Sequence, residues 1–276
     1  MTSTPTTDAP STSGSSRRRP SRLVVAGVLG VVVLFVIALV VGRTSSSAPK
    51  PPGANVGTQL DTALPPDIAN TPLVDETGRT TNLAAFKGKI VVLTDFMTLC
   101  QEVCPITTAV LNQVDEAVTK AGLADKVQFV DITVDPARDD PARLHAYRSF
   151  AKLLPNWTLL TGTPENLGTV LKYFGVGYEK TAEEDPPGID WLTGKPLTYD
   201  LTHSDVLIYL DEAGHQRFVI QGMPGGSGAA LTDGELSFLN DEGRSNLTDA
   251  ADASWTGDQA LQVVSWLSKK HIKSAS

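Results

Sequence analysis

Residues 90–105 read IVVLTDFMTLCQEVCP, and this stretch decides the fold. Its first seven residues, Ile90 to Phe96, are mostly β-branched or apolar and predict a buried strand. After the last proline, apolar residues recur at helical spacing and predict a helix over residues 105–121 that ends at Gly122. These apolar positions are Ile106, Val110, Leu111, Val114 and Val118. The stretch therefore leads from a strand through a short loop into a helix.

Further β-rich runs alternate with helical patterns along the chain. We predict strands at residues 127–134 and 157–160, a hairpin at 206–210 and 217–221, and helices that start at Pro141 with Asp140 as cap, at 164–174 and at 259–269. This alternation is typical of an α/β sheet. Residues 179–200 and 222–257 are rich in Gly, Pro and Asp, and we expect irregular surface insertions there.

Acidic residues outnumber basic ones in the 276-residue chain. Asp and Glu total 31 against 23 Lys and Arg, which gives a net charge of −8. Five of the arginines lie within the first 43 residues, so the remainder is more acidic still. A protein that binds nucleic acid needs a basic face for phosphate contacts, and this composition argues against nucleic-acid partners.

An uncharged apolar run of 20 residues occupies positions 23–42. At 1.5 Å per residue it matches the roughly 30 Å hydrocarbon core of a bilayer, and it is longer than a typical signal peptide core. Because arginines precede it, we expect a single-pass signal anchor in the cell membrane, with residues 1–22 as a disordered cytoplasmic tail. Residues 43–64 then predict a flexible tether, and residues 65–276 an extracytoplasmic domain with an insertion near 222–257.

Two cysteines, Cys100 and Cys104, lie in the loop between the predicted strand and helix. A structural disulfide is the simple interpretation outside the cytoplasm, but closing so short a loop stabilises a fold by only about 2 kcal/mol. The N-terminus of a helix favours the thiolate form, which attacks disulfides or binds soft metal ions. We therefore interpret the pair as functional, in redox chemistry or in metal binding.

A histidine is the natural third ligand for such a pair. Cu(I) prefers thiolates and accepts an imidazole at low coordination number, whereas structural zinc takes four protein ligands. His145 falls in a predicted helix, His215 in a hairpin turn and His271 near the end of the chain, where exposure is expected. His203 precedes the strand at 206–210 and is the best candidate, although a loop histidine taken alone is more often without function.

Three separated motifs, taken in order, resemble the SCO/SenC family of membrane-anchored, thioredoxin-fold proteins of copper handling. They are FMTLCQEVCP at residues 96–105, VDPARDDP at 134–141, and THS at 202–204 leading into IYLD at 208–211. The resemblance covers about residues 65–222 and the final helix. The sequence departs from the family at Leu99, where His or Tyr is common, at Glu102-Val103, where Asp precedes the second cysteine, and at Thr202, where Asp is usual.

The resemblance implies a thioredoxin-like α/β fold, with a central mixed sheet flanked by helices and preceded by one transmembrane helix. It implies that Cys100, Cys104 and His203 bind one copper ion. Family members deliver copper to the binuclear copper site of cytochrome c oxidase or reduce its cysteines. The implied partners are the copper-site domain of an oxidase subunit and a copper donor or thiol reductant.

An extracytoplasmic thiol-disulfide reductase is the alternative function. In that case Cys100 attacks a disulfide and Cys104 resolves the intermediate, with no stoichiometric metal.

Two further features of the sequence allow both a structural and a functional interpretation. Asp135 and Arg138 fit a turn better than a site, and Trp191 is either a cover over the metal or a packing residue.

Overall fold

The predicted strand Ile90–Phe96 is a central strand of the sheet in the computed structural model, which describes residues 1–2, 48–249 and 253–274. In these residues the strands are β1 (Thr58–Ala63), β2 (Leu73–Asp75), β3 (Thr80–Thr81), β4 (Ile90–Phe96), β5 (Val127–Thr133), β6 (Trp157–Thr161), β7 (Tyr178–Thr181), β8 (Asp200–His203), β9 (Val206–Leu210) and β10 (His215–Gln221). The helices are α1 (Pro66–Ala69), α2 (Cys104–Lys120), α3 (Pro141–Phe150), α4 (Pro164–Tyr173), α5 (Asp233–Phe238), α6 (Asp241–Thr248) and α7 (Gly257–Ser268), with a short 3-10 helix at Leu83–Phe86.

The main sheet is mixed. Its order is β1-β10-β9-β4-β5-β6-β2-β3, with β4, β5 and β6 parallel and β9 antiparallel to β4. Every residue of β4 and β5 is buried, as expected for parallel strands in the middle of a sheet. β7 and β8 form a separate two-stranded sheet.

Helices connect the parallel strands and pack around the sheet. α2 joins β4 to β5, and α7 packs against both α2 and β4. The order β10-β9-β4-β5, with α2 after β4 and α7 after β10, is that of a thioredoxin-like fold. The prediction of a thioredoxin-like α/β fold with a mixed sheet is confirmed.

The predicted helix boundaries agree with the structure because they depend on local signals. Asp140 accepts the Arg143 N–H at 2.8 Å and caps α3, which starts at Pro141. α2 ends at Lys120, and Gly122 follows with a φ of +70° that a side-chain-bearing residue rarely adopts. The hairpin of β9 and β10 also forms where it was predicted, although β10 begins two residues earlier, at His215.

The predictions of irregular structure at residues 43–64, 179–200 and 222–257 are partly wrong. Thr58–Ala63, inside the predicted tether 43–64, is a strand that pairs with β10. It lacks an apolar pattern because five of its six residues are exposed at the sheet edge. Within 179–200 the chain forms most of β7 and the start of β8, and within 222–257 it forms α5 and α6. These short elements gain their stability from tertiary contacts, which local sequence patterns do not report.

No helix among the described residues is long and apolar enough to cross a membrane. The predicted anchor at residues 23–42 lies outside them, as does the predicted tail 1–22 beyond its first two residues.

Candidate metal centre

Cys100 and Cys104 lie where the chain passes from β4 into α2. Cys104 is the first residue of the helix, and its backbone N–H donates to the Cys100 sulfur at 3.4 Å. Val103, at the N-cap, offers no capping side chain, so the Cys100 sulfur takes up one of the helix's free amides. Both thiols are free and buried, with 7% and 3% of their surface exposed. The helix N-terminus stabilises negative charge on the Cys100 sulfur.

His203 reaches the same point from the far end of the sequence. It is the last residue of β8, not part of an irregular loop, and it pairs with Tyr178 of β7. Its Nε2 lies 3.4 Å from the Cys104 sulfur. The possible ligand atoms of Cys100, Cys104 and His203 all lie within 4.8 Å of one another, and this is the one such group found in the described part of the chain.

Asp95 orients the His203 ring. Its Oδ2 lies 2.7 Å from His203 Nδ1, and its Oδ1 accepts the Val206 N–H at 3.0 Å. A carboxylate that engages Nδ1 leaves Nε2 directed at the ligand position, as in many metal sites. The sequence patterns did not predict this role of Asp95. The available signal was a single acidic residue near the end of a fully buried strand whose other residues, apart from Thr94, are apolar.

The buried groups shift one another's protonation. The hydrogen bond with Cys104, together with His203, holds the pKa of the Cys100 thiol well below its usual range despite burial. Burial raises the pKa of Cys104. Burial alone lowers the pKa of His203, but the hydrogen bonds with Asp95 and Cys100 outweigh it and raise that pKa well above its usual value. The surroundings therefore favour negative charge on the Cys100 sulfur and positive charge on the His203 ring.

A cavity of about 140 Å³ opens onto Cys100 and His203. Met97 lines it, and acidic groups on three segments surround it: Glu102, Asp200 and Asp205. Burial raises the pKa of Glu102 to about 7 and that of Asp205 to about 6. The approach to Cys100 and His203 is therefore narrow and carries acidic groups.

The donor set suits a soft monovalent ion. Two sulfurs and one imidazole nitrogen match Cu(I), whereas structural zinc takes a fourth protein ligand and magnesium or calcium takes oxygen. The residues thus fit one copper ion.

The other histidines lie away from this point. His145 is exposed on α3, His271 is exposed beyond α7, and His215 contacts Asp61 at 2.9 Å at the β1 edge of the sheet. They contribute nothing to the metal centre.

The second motif, residues 134–141, supports the cysteine loop, which is the segment 97–103 between β4 and α2. Asp139 is fully buried and accepts the Thr98 N–H at 3.2 Å and the Thr98 hydroxyl at 2.5 Å. Arg138 forms an ion pair with Asp135 and stacks on Tyr199, with 3.7 Å between its guanidinium carbon and the ring centre. These contacts are structural, as we interpreted them from sequence, and the supporting role of Asp139 was missed.

Trp191 packs beside the loop and does not line the cavity. Its indole N–H donates to the Thr98 carbonyl at 2.7 Å, and its ring stacks on Phe150 at a centroid distance of 4.3 Å. The packing interpretation of this tryptophan is the one that the contacts favour.

Asp95→Asn is expected to weaken Cu(I) binding by about 10- to 100-fold, the range typical for losing a residue that orients a metal ligand. The amide keeps the size of the carboxylate and can still accept the Val206 N–H, so the fold should persist. Asp131→Asn is the matched control, because Asp131 is a buried carboxyl on the adjacent strand β5 that does not line the cavity. Chelator competition measures both affinities; equal affinities in the two variants would show that Asp95 does not orient the ring for the metal.

Sequence and structure comparisons relate the chain to known proteins. The SCO1/SenC family model matches residues 69–223. The SCO1 homolog 1 of Arabidopsis thaliana is 31% identical over 121 residues, which cover 41% of this chain and 33% of that protein. Protein sco1 of Schizosaccharomyces pombe is 29% identical over 129 residues, which cover 47% and 48%. The chain thus spans half or less of the length of these relatives. The copper-bound structure of Bradyrhizobium japonicum ScoI is 29% identical, covers 54% of this chain and 85% of its own, and superposes with a TM-score of 0.45.

Proposed function

Because the chain belongs to the SCO1/SenC family, we propose that it is a copper metallochaperone for assembly of the binuclear copper site of cytochrome c oxidase. It binds one copper ion through Cys100, Cys104 and His203. One observation carries this proposal. The two thiols, and an imidazole about a hundred residues further along the chain, place their ligand atoms within 4.8 Å of one another.

The protonation of the site prepares it for copper. The lowered pKa of Cys100 favours its thiolate, which attracts the cation, and any proton on the Cys104 sulfur or on His203 Nε2 leaves as that atom becomes a ligand. Asp95 keeps the imidazole in place throughout. The acidic side chains around the cavity raise the local concentration of cations.

The partners follow from this role. A copper donor loads the site, and the extracytoplasmic copper-site domain of an oxidase subunit receives the ion. A low-coordinate Cu(I) site exchanges ligands readily, since an incoming thiolate or imidazole can add before a resident one leaves. Transfer therefore requires only that the partner's ligands reach the cavity mouth.

Direct transfer tests the proposal. The full chain, purified in detergent and loaded anaerobically with Cu(I), is mixed with the reduced, metal-free copper domain of an oxidase subunit. We expect one copper per chain before mixing and copper on the acceptor afterwards, measured by metal analysis of the separated proteins. Copper that stays on the chain, or that never binds at one equivalent, would contradict the proposal.

A thiol-disulfide reductase is the second candidate, favoured by the lowered pKa of Cys100. The Cys100 thiolate would attack a partner disulfide and release one partner thiol, forming a mixed disulfide. The Cys104 thiolate would then displace the second partner thiol, leaving a Cys100–Cys104 disulfide that an external dithiol must reduce. The two electrons thus pass from the chain to the partner.

We further propose that residues 23–42 anchor the protein in the cell membrane, with the N-terminus in the cytoplasm and the copper site outside. The uncharged 20-residue run and the preceding arginines support this placement. Retention of the full chain in membranes after alkaline carbonate washing, with the domain open to external protease, is the expected result. Release by the wash would contradict it.

A further inference from the structure

Residues 238–243 contact Gln101 and Glu102, two of the three residues between the two thiols. The Asn240 N–H donates to the Gln101 carbonyl at 3.2 Å, and its side-chain amide donates to Glu102 Oε1 at 3.1 Å. In return, the Gln101 side-chain amide donates to the Phe238 carbonyl at 3.0 Å. Both the backbone and the side chains of the cysteine loop are therefore held by a segment about 140 residues away in sequence.

Gly243 shows how closely the two segments fit. A Cβ atom at this position would lie 2.2 Å from the Gln101 carbonyl oxygen, far inside van der Waals contact. Glycine allows the first turn of α6 to rest directly on the backbone of the loop. A Cβ on Gly188 would lie 2.0 Å from the Gln101 side-chain oxygen, so a second glycine allows close approach to this residue, here to its side chain.

Residues 238–243 are themselves held in the domain by buried apolar contacts and a helix cap. Phe238 and Leu239 are buried, and Phe238 packs with Leu99 and Leu197 in a small apolar cluster. The Asn240 side chain also caps α6, since its Oδ1 accepts the Gly243 N–H at 2.8 Å. The segment lies in the insertion after residue 222, beyond the part of the chain that the family model matches.

We propose that residues 238–243 clamp the cysteine loop and hold Cys100 and Cys104 at the separation at which they receive copper. This inference rests on the proposed copper site, and it attributes the readiness of that site for copper to the clamp. The contacts are made while both thiols are free. A disulfide needs its two sulfurs about 2.05 Å apart, so a loop fixed with free thiols disfavours oxidation while it preorganises metal binding.

Two substitutions release the clamp in different ways. Asn240→Ser keeps a good helix cap but loses the reach to Glu102, and Gly243→Ala forces α6 or the loop to move. Ser245→Ala is the control, since Ser245 is exposed on the same helix. We expect both clamp variants to bind Cu(I) about 10-fold more weakly, as for a lost supporting contact of a metal site. The control should match wild type, and thermal unfolding shows which variants fold.

A second measurement does not depend on copper. In glutathione buffers, Cys100 and Cys104 give two electrons and two protons to one glutathione disulfide, which yields the intramolecular disulfide and two glutathione thiols. We expect the clamp variants to be oxidised at a lower ratio of glutathione disulfide to glutathione than wild type, as resolved by mass spectrometry after alkylation.

The two measurements distinguish failure of the proposed copper function from failure of the clamp. If wild type binds no copper, the proposed function fails. The clamp is then tested by the glutathione equilibrium alone. An unchanged equilibrium in both variants, with unchanged Cu(I) affinity wherever copper binds, would overturn the clamp, even if either variant loses thermal stability.

Discussion

Replacing Cys100 and Cys104 together with serine is expected to abolish tight Cu(I) binding. A soft ion selects thiolate ligands, and a serine hydroxyl stays protonated at neutral pH, so one imidazole would remain as the only strong donor of the site. No larger effect on affinity is expected from any other change to the metal centre. The measurement is an anaerobic titration of the full chain in detergent against a chromophoric Cu(I) chelator.

Serine also keeps the fold comparable. It has nearly the size of cysteine, and at position 100 its oxygen can still accept the Cys104 amide that the sulfur now accepts. The two single variants, Cys100→Ser and Cys104→Ser, should each retain weak binding through the remaining thiolate and His203. Wild-type affinity in the double variant would place the copper site elsewhere in the chain.

The second large effect is expected for His203→Ala. Loss of a direct ligand should weaken Cu(I) binding by more than the about 10- to 100-fold that loss of an orienting residue costs. Removing the ring also leaves the buried Asp95 carboxylate without this partner. His203→Gln is therefore measured beside it, since its amide can donate to Asp95 while the side chain is a poor ligand for Cu(I).

His215→Ala is the matched control for His203. Both rings place Nδ1 against a carboxylate, at 2.7 Å for His203 and 2.9 Å for His215. The His215 ring is 40% exposed at the far edge of the sheet, whereas the His203 ring is 5% exposed. We expect the control to keep wild-type affinity, and equal losses in the two alanine variants would argue against a specific ligand.

The same His203 variants separate the two candidate functions. Reduction of a model disulfide needs Cys100 and Cys104 and should continue, more slowly, without the histidine, because His203 is one of the groups that lower the pKa of Cys100. Copper binding should not continue at comparable affinity. Thiol exchange that survives in a wild type with no tight copper site would leave the reductase as the function.

The family and the thioredoxin-like core follow from local patterns in the sequence. The β-branched run predicts β4, the spacing of apolar residues predicts α2, and the aspartate cap with a first-turn proline predicts α3. These signals extend over one element and are independent of the remainder of the chain. The placement of two thiols at a strand-to-helix junction is local in the same way, so the cysteine pair was visible before the fold.

The edge of the fold was less predictable. β1 carries mostly exposed polar residues and exists because β10 offers it backbone partners. α5 and α6 are short, and capping together with contact to the cysteine loop fixes them in place. Neither case leaves a periodic apolar pattern, and we accordingly predicted a tether and an irregular insertion.

By itself, the sequence determined the core elements and the cysteine pair, and it singled out His203 as the best of four candidate histidines. The tertiary structure placed His203 beside the thiols, and it alone decided that Asp95 orients the ring and that residues 238–243 hold the loop. The physical reason is separation along the chain. Each of these contacts joins residues about 100 or more positions apart, and only the pairing of β4 with β9 and the packing of the insertion bring them within hydrogen-bond distance.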